Sequence, residues 1–166
     1  GDILVGAKQN RSVTTTIIIA KKTVDIIDVN CVEAGRWAYK GRSFMAGEQP
    51  VYTKLRAAKA KSVTINLKRS RQFVADQDVV WSDISEKAEK LSMHDPAFKR
   101  SSTIAADDLF TSYGERIKSF DKAFGLKTDQ VGFVVLISGK VAGCDIFGNP
   151  GVLSRVYTKG IRSYTL

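Results

Sequence analysis

Histidine is almost missing from this 166-residue chain: the single one, His94, stands before Asp95-Pro96 in a stretch that reads as a turn. A Ser-His-Asp or Cys-His catalytic arrangement would have to be built on that residue, and a turn histidine is ordinarily just solvated. Cysteine is as scarce. Cys31 and Cys144 form no Cys-x-x-Cys, so neither a disulfide framework nor a thiolate zinc site is expected, and a reducing cytoplasm is the natural home. Long apolar runs are missing too. The longest, Thr16–Ala20 and Val131–Ile137, fall far short of a membrane span, and no basic segment followed by an apolar stretch opens the chain. No Gly-x-Gly-x-x-Gly follows a strand. Gly132 and Gly139-Lys140 have the wrong spacing for a phosphate-binding loop, and Val141 stands where its Ser or Thr belongs. There is no repeat and no low-complexity tract. The chain starts at Gly1 rather than Met and closes on Tyr164-Thr165-Leu166, which suggests trimming at the start and more chain beyond the end.

What is present fits one soluble domain over residues 1–166. With 43% hydrophobic and 26% charged residues, the chain can bury a real core. Charge is uneven. Of the net +9, the segment Lys40–Gln72 supplies nine basic residues (Lys40, Arg42, Lys54, Arg56, Lys59, Lys61, Lys68, Arg69, Arg71) against one acid, Glu48. Such a strip either attracts phosphates, nucleotides or nucleic acid or is a solvated face.

The N-terminal third reads as β. Asp2–Val5, Ser12–Ala20 and Thr23–Val32 are rich in β-branched residues and broken by polar turns, and the last two are expected to form a hairpin. Beyond Trp37 the pattern loosens through Gly41, Gly47 and Pro50 into a connection. Lys54–Lys61 favours helix, while Val63, Ile65 and Leu67 alternate as a strand would. Asp76 is placed to cap a helix with the stripe Val80, Ile84, Ala88 and Leu91, stopped at His94-Asp95-Pro96. Thr103 is placed to cap a longer helix through Ala106, Phe110, Tyr113, Ile117, Phe120 and Phe124, closed by Gly125. Val131–Ser138 reads as a central strand, turning at Gly139-Lys140 into Val141–Phe147, and Pro150 starts a last amphipathic helix through Tyr164. This order predicts an α+β fold: a β-rich N-terminal part, central helices, then a C-terminal hairpin and helix.

The remaining chemistry is that of carboxylates, guanidinium groups and amides. Asn30–Trp37 packs Cys31, Glu33, Gly35, Arg36 and Trp37 into one turn-like segment after an apolar strand. Arg36 offers a planar fork for phosphate and Trp37 a face for a ring; the alternative is a Glu33–Arg36 salt bridge with Trp37 in the core. Lys8-Gln9-Asn10-Arg11 is a dense donor set in a loop, suited to clamping an anionic or amide-bearing ligand, or else a solvated turn. Asp76-Gln77 with Trp81 repeats the mix, although Asp76 as a helix cap explains itself. Asp145 interrupts an apolar strand, and is paired or functional if inward and merely solvated if outward.

Gly6–Arg11, Cys31-Val32-Glu33 with Gly35-Arg36-Trp37, Leu55-Arg56-Ala57, Asp76-Gln77 with Val80-Trp81, Gln130 with Gly132, and Gly139 with Gly143, Asp145 and Phe147 run in order over almost the whole chain. Together they resemble the ARPP-type domain, named for its association with ADP-ribosylglycohydrolases and rhodanese-phosphatases. Ala34 stands where that pattern has Gln, which leaves the polar set intact. The resemblance implies company with NAD and ADP-ribose metabolism and carries no established reaction of its own.

Taken with the residues, it leads to a small anionic nucleotide such as ADP-ribose as the expected ligand. In that expectation Lys8, Asn10, Arg11, Arg36 and Arg56 bind it, Trp37 stacks, Gln9 and Gln77 read polar edges, and Glu33 or Asp145 is the general acid or base. Mg²⁺ would enter with the phosphates, held by carboxylates such as Glu33, Asp76 and Asp145. The competing expectations are a nucleic-acid module using residues 40–72, in which aromatics are few, and a regulatory partner domain without a small ligand.

Overall fold

The computed structural model describes residues 1–35, 39, 41–96, 98 and 104–166. Within them the fold is α+β, with strands first, helices in the middle and a hairpin followed by a helix at the end. Strands β1 (Asp2–Gly6), β2 (Arg11–Val13), β3 (Val29–Cys31) and β5 (Phe44–Pro50) form an antiparallel sheet in the order β3-β2-β1-β5. The short β4 (Glu33–Ala34) pairs with β6 (Ile104–Ala105), Glu33 opposite Ala105. Gly6 is required by this arrangement: its φ of +149° and its crossing against the Ser43 carbonyl leave no room for a Cβ.

Helix α1 (Thr53–Ser70) runs straight through the segment whose apolar residues alternate, because the face it buries is Leu55, Lys59, Ser62 and Val63, a helical spacing with two polar members. It ends at Arg71, whose φ of 60° lets its N–H reach the Leu67 carbonyl. Helix α2 (Gln77–His94) buries Val80, Asp83, Ile84 and Ala88. Asp76 takes the N-cap position without a side-chain capping bond. Its carboxylate instead accepts from Ser62 Oγ (3.2 Å) and Asn66 Nδ2 (3.0 Å), tying α2 to α1. Helices α3 (Asp108–Thr111) and α4 (Gly114–Ala123) follow. The hairpin β7 (Gly132–Ile137) and β8 (Lys140–Ile146) leads to α5 (Pro150–Arg162), with Pro150 at the helix start and Asn149 Oδ1 accepting from the Val152 N–H at 2.9 Å.

The main core joins Ile3, Val32, Val51, Tyr52 and Leu55 with Val80, Ile84, Ala88, Leu109, Phe110 and Ile117. A smaller cluster, Leu153, Tyr157 and Ile161 with Phe120, Phe133 and Phe147, seats the hairpin on α5.

Four sequence expectations are corrected. The β-branched run expected as a strand to Ala20 pairs only as far as Val13, and its partner begins at Val29; residues 16–26 are exposed because no neighbouring strand offers them a ladder. The expected connection after Trp37 contains β5, held by pairing with β1 despite Gly47 and Pro50. The long helix expected from Thr103, a residue outside those described, is divided among β6, α3 and α4, and Gly125 does not close it. Finally, β7 is not central: among the described residues it pairs with β8 alone, and Val134, Leu136 and Ile137 are exposed.

Candidate functional site

The turn between β1 and β2 places Gln9 and Asn10 inside the molecule, 6% and 0% exposed, while Lys8 stays at the surface with its ammonium 5.3 Å from the Tyr39 ring centre. Asn10 is the hub. Its backbone N–H donates to Glu33 Oε2 at 2.9 Å, its side-chain Oδ1 accepts from the Gly6 N–H at 3.3 Å, and its Nδ2 donates to both oxygens of Asp107 at 3.0 Å. Glu33 itself is buried, brought beside the turn because the Val32 N–H bonds to the Asn10 carbonyl (3.1 Å) and so aligns β4 with the loop. The Cys31 thiol donates to Gln9 Oε1 (3.3 Å) and to the Glu33 carbonyl (3.2 Å). Gln77, from the first turn of α2, closes the set: its Oε1 accepts from the Cys31 N–H at 2.9 Å and its Nε2 donates to the Cys31 carbonyl at 2.7 Å.

Arg11 lies at the edge of this cluster. One guanidinium nitrogen donates to the Gln9 and Asn10 carbonyls and to Gln9 Oε1, at 3.3 to 3.4 Å, and among the described residues no carboxylate pairs with it. The structure therefore brings Lys8, Gln9, Asn10, Arg11, Glu33 and Gln77 together. Arg36 and Trp37 lie outside the described residues.

Arg56 and Asp145 are elsewhere, and they find each other. The guanidinium is bidentate on the carboxylate at 2.9 Å for both bonds, Arg56 also donates to Ser163 Oγ at 2.9 Å, and Tyr164 donates to Asp145 Oδ2 at 2.8 Å. Desolvation opposes ionisation of Asp145, but the Arg56 hydrogen bonds and charge prevail and hold its carboxyl below the usual range. The pair faces a cleft of about 360 Å³ walled by Thr14–Thr16, α1 and β8. Lys59 lies in the same wall, 1% exposed, with its ammonium donating to Ser12 Oγ (2.7 Å), the Ser12 carbonyl (3.3 Å) and the Val13 carbonyl (2.9 Å). Burial lowers its pKa to about 7.

The basic strip is divided by the fold. Lys54 is held by Glu86 (2.8 Å) and Asp83 (3.3 Å), Arg56 by Asp145, and Lys59 by β2, while Lys61, Lys68, Arg69 and Arg71 are exposed. The carboxylates considered for Mg²⁺ are dispersed: Glu33 bonds the loop, Asp76 bonds α1 and Asp145 bonds Arg56. Among the described residues no three His, Cys, Asp or Glu side chains gather, and no helix is long and apolar enough to cross a membrane. His94 is exposed at the end of α2.

Among the cluster residues missed by sequence reasoning are Asp107 and Lys59. Asp107 was legible as one of two adjacent acids interrupting an apolar stripe. Lys59 was legible only as a member of the α1 stripe, four residues after Leu55 and four before Val63.

The ordered motifs agree with the comparison to known families. A family model for the ARG and Rhodanese-Phosphatase-superfamily-associated Protein domain, ARPP-1, matches residues 1–166. The chain belongs to the ARPP-1 family. That name associates ARPP-1 domains with ADP-ribosylglycohydrolases and rhodanese-phosphatases and states no reaction. No curated protein and no solved structure matches the chain.

Proposed function

We propose that this ARPP-1 domain binds ADP-ribose or a closely related anionic nucleotide at the Lys8–Arg11 turn, with Glu33 as the group able to act on it. The observation that carries the reading is Arg11: a half-buried guanidinium with only neutral oxygens as partners among the described residues, beside the buried Glu33 carboxylate that accepts from the Asn10 N–H. A guanidinium without a carboxylate is suited to a phosphate, and Lys8 adds a second cation on the same turn. Gln9 supplies an amide for a polar edge. Arg36 and Trp37 are assigned phosphate neutralisation and ring stacking from their place in the sequence. Arg56, Asp145 and Gln77 receive no ligand role, since their polar groups bond mainly to one another or to the backbone. The family's association with ADP-ribosylglycohydrolases supports the choice of nucleotide.

A proton NMR time course of ADP-ribose with the protein, with and without Mg²⁺, tests this. New product signals that disappear in Glu33→Gln, with line broadening retained, make Glu33 the acid or base. Broadening without conversion means a binding domain, and unchanged ligand signals remove the reading. Glu33→Gln keeps an acceptor for the Asn10 N–H, so it is expected to fold.

A further inference from the structure

The stretch between β2 and β3, residues 14–28, is an extended arm that leaves the sheet. At its root the Thr14 N–H donates to the Asp28 carbonyl at 3.2 Å. At its tip Lys21 and Lys22 turn the chain, with Lys22 at a φ of 58° and Thr23 Oγ donating to the Ala20 carbonyl at 2.7 Å. Between root and tip no backbone ladder joins the two limbs among the described residues, although this run is rich in β-branched side chains. A cleft of about 460 Å³ separates the root from β8 and α5, and Ile17, Ile19 and Ile27 line it. Alternate residues face the other way: Ile18, Val24 and Ile26 are 96%, 99% and 104% exposed. A solvated loop would carry polar side chains on that outer face. This arm carries apolar ones and leaves its edges unpaired, the state in which an extended segment meets another chain.

The area of this surface matches a dimer. A standard interface buries about 800 Å² on each partner, a little over half of it apolar, which is about 450 Å². At roughly 100 Å² of apolar surface for a fully exposed Ile or Val side chain, Ile17, Ile18, Ile19, Val24 and Ile26 offer about 400 Å² at their present exposure. The charge matches a second copy of the same chain. The protein carries a net +9, so most of its surface repels its own kind, yet residues 14–28 hold two Lys and two Asp and sum to zero. Lys21 and Lys22 lie at the tip, Asp25 and Asp28 on the limb returning to the root, and none of the four enters an ion pair among the described residues. Two arms laid antiparallel about a two-fold axis bring each tip beside the partner's root, Lys against Asp at both ends. We propose that residues 14–28 are a dimerisation arm occupied by the same arm of a second copy, with Ile18, Val24 and Ile26 of the two copies packed on one another. The dimer does not depend on the nucleotide reading above.

Sedimentation equilibrium of the whole chain, from low micromolar to several hundred micromolar, measures the association, and amide hydrogen exchange at the two ends of that range locates it. The expected result is a plateau at twice the monomer mass, with the amides of residues 15–27 exchanging freely when dilute and protected when concentrated. Ile18→Asp and Ile26→Asp change side chains that the monomer leaves in solvent, so each should keep the parent's thermal midpoint under dilute conditions. Each removes two packed side chains per dimer and should weaken association by roughly a hundredfold or more. Charge reversal tests the antiparallel arrangement. Lys21→Glu with Lys22→Glu, and separately Asp25→Lys with Asp28→Lys, should each weaken self-association, while an equimolar mixture of the two forms a dimer, because the acidic tip of one then meets the basic root of the other. A monomer at every concentration, a mass that rises without a plateau, arm amides whose exchange ignores concentration, or a dimer indifferent to Ile18→Asp and Ile26→Asp overturns the arm as the interface. A mixture no tighter than its components overturns the antiparallel pairing.

Discussion

Asp107 and Asp145 are both acids in otherwise apolar stretches, both partly buried and both bonded through two oxygens, yet they have opposite partners. Asp145 receives a guanidinium, a tyrosine hydroxyl and through them a connection to α1 and α5. Asp107 receives one neutral amide. A carboxylate whose charge is matched and whose lone pairs are filled behaves as a joint of the fold, whereas one held by an amide keeps its charge and part of its acceptor capacity for something else. Sequence reasoning singled out Asp145 and passed over Asp107, and in the structure it is the partner that separates them.

The contrast breaks most visibly at the joint. Asp145→Ala strands the Arg56 guanidinium and removes the Tyr164 acceptor, and for side chains 26% and 19% exposed this should cost about 3 kcal/mol in urea unfolding. Arg56→Lys should recover little of what Arg56→Ala loses, because an ammonium cannot span both carboxylate oxygens. Equal stability of parent and Asp145→Ala would dissolve the distinction.

A second test concerns the buried cation beside that joint. Burial lowers the Lys59 pKa to about 7 in the folded protein, below its ordinary 10.5, so between these values the unfolded chain binds the proton more readily. Stability should therefore rise as pH is raised from about 7 towards 9.5, and the contribution is constant below that window, where both states are protonated. The difference between parent and Lys59→Met in chemical unfolding at successive pH values isolates the slope; a flat difference would show that Lys59 titrates normally.

The smallest effect is expected at Asp107. Asp107→Asn exchanges a carboxylate for an amide opposite another amide, and should change stability by no more than about 1 kcal/mol in the same unfolding assay. A loss as large as that of Asp145→Ala would make Asp107 a joint as well.

Much of this fold was legible. Helices α2 and α5 follow from stripes at helical spacing, and the C-terminal hairpin from its apolar run and Gly139-Lys140 turn. β5 was hidden because Phe44–Pro50 holds Gly47 and Pro50 and no β-branched residue, and it is a strand only through its pairing with β1. The opposite error arose at Thr16–Ala20, where strong local β preference has no neighbour to pair with. The stripe from Ala106 to Phe124 has the right period but is cut by Asp107-Asp108 and Gly114. At the site, loop residues of unusual polarity pointed to the Lys8–Arg11 turn and Glu33. Asp107 stayed hidden because its contact with Asn10 spans 97 positions of sequence. Arg56 and Asp145, 89 positions apart, were assigned separate duties because nothing in a linear pattern shows that two residues neutralise each other.

The Gln77 amide has a consequence for the company this protein keeps in a crowded solution. β3 is the outer strand of its sheet, and Gln77 occupies the N–H and C=O of Cys31 in the manner of a neighbouring strand one residue long. An incoming peptide that tried to extend the sheet would find its first docking point already taken, by a group too short to pass the pairing on. The same amide that frames the Lys8–Arg11 turn thus covers one position of that sheet edge.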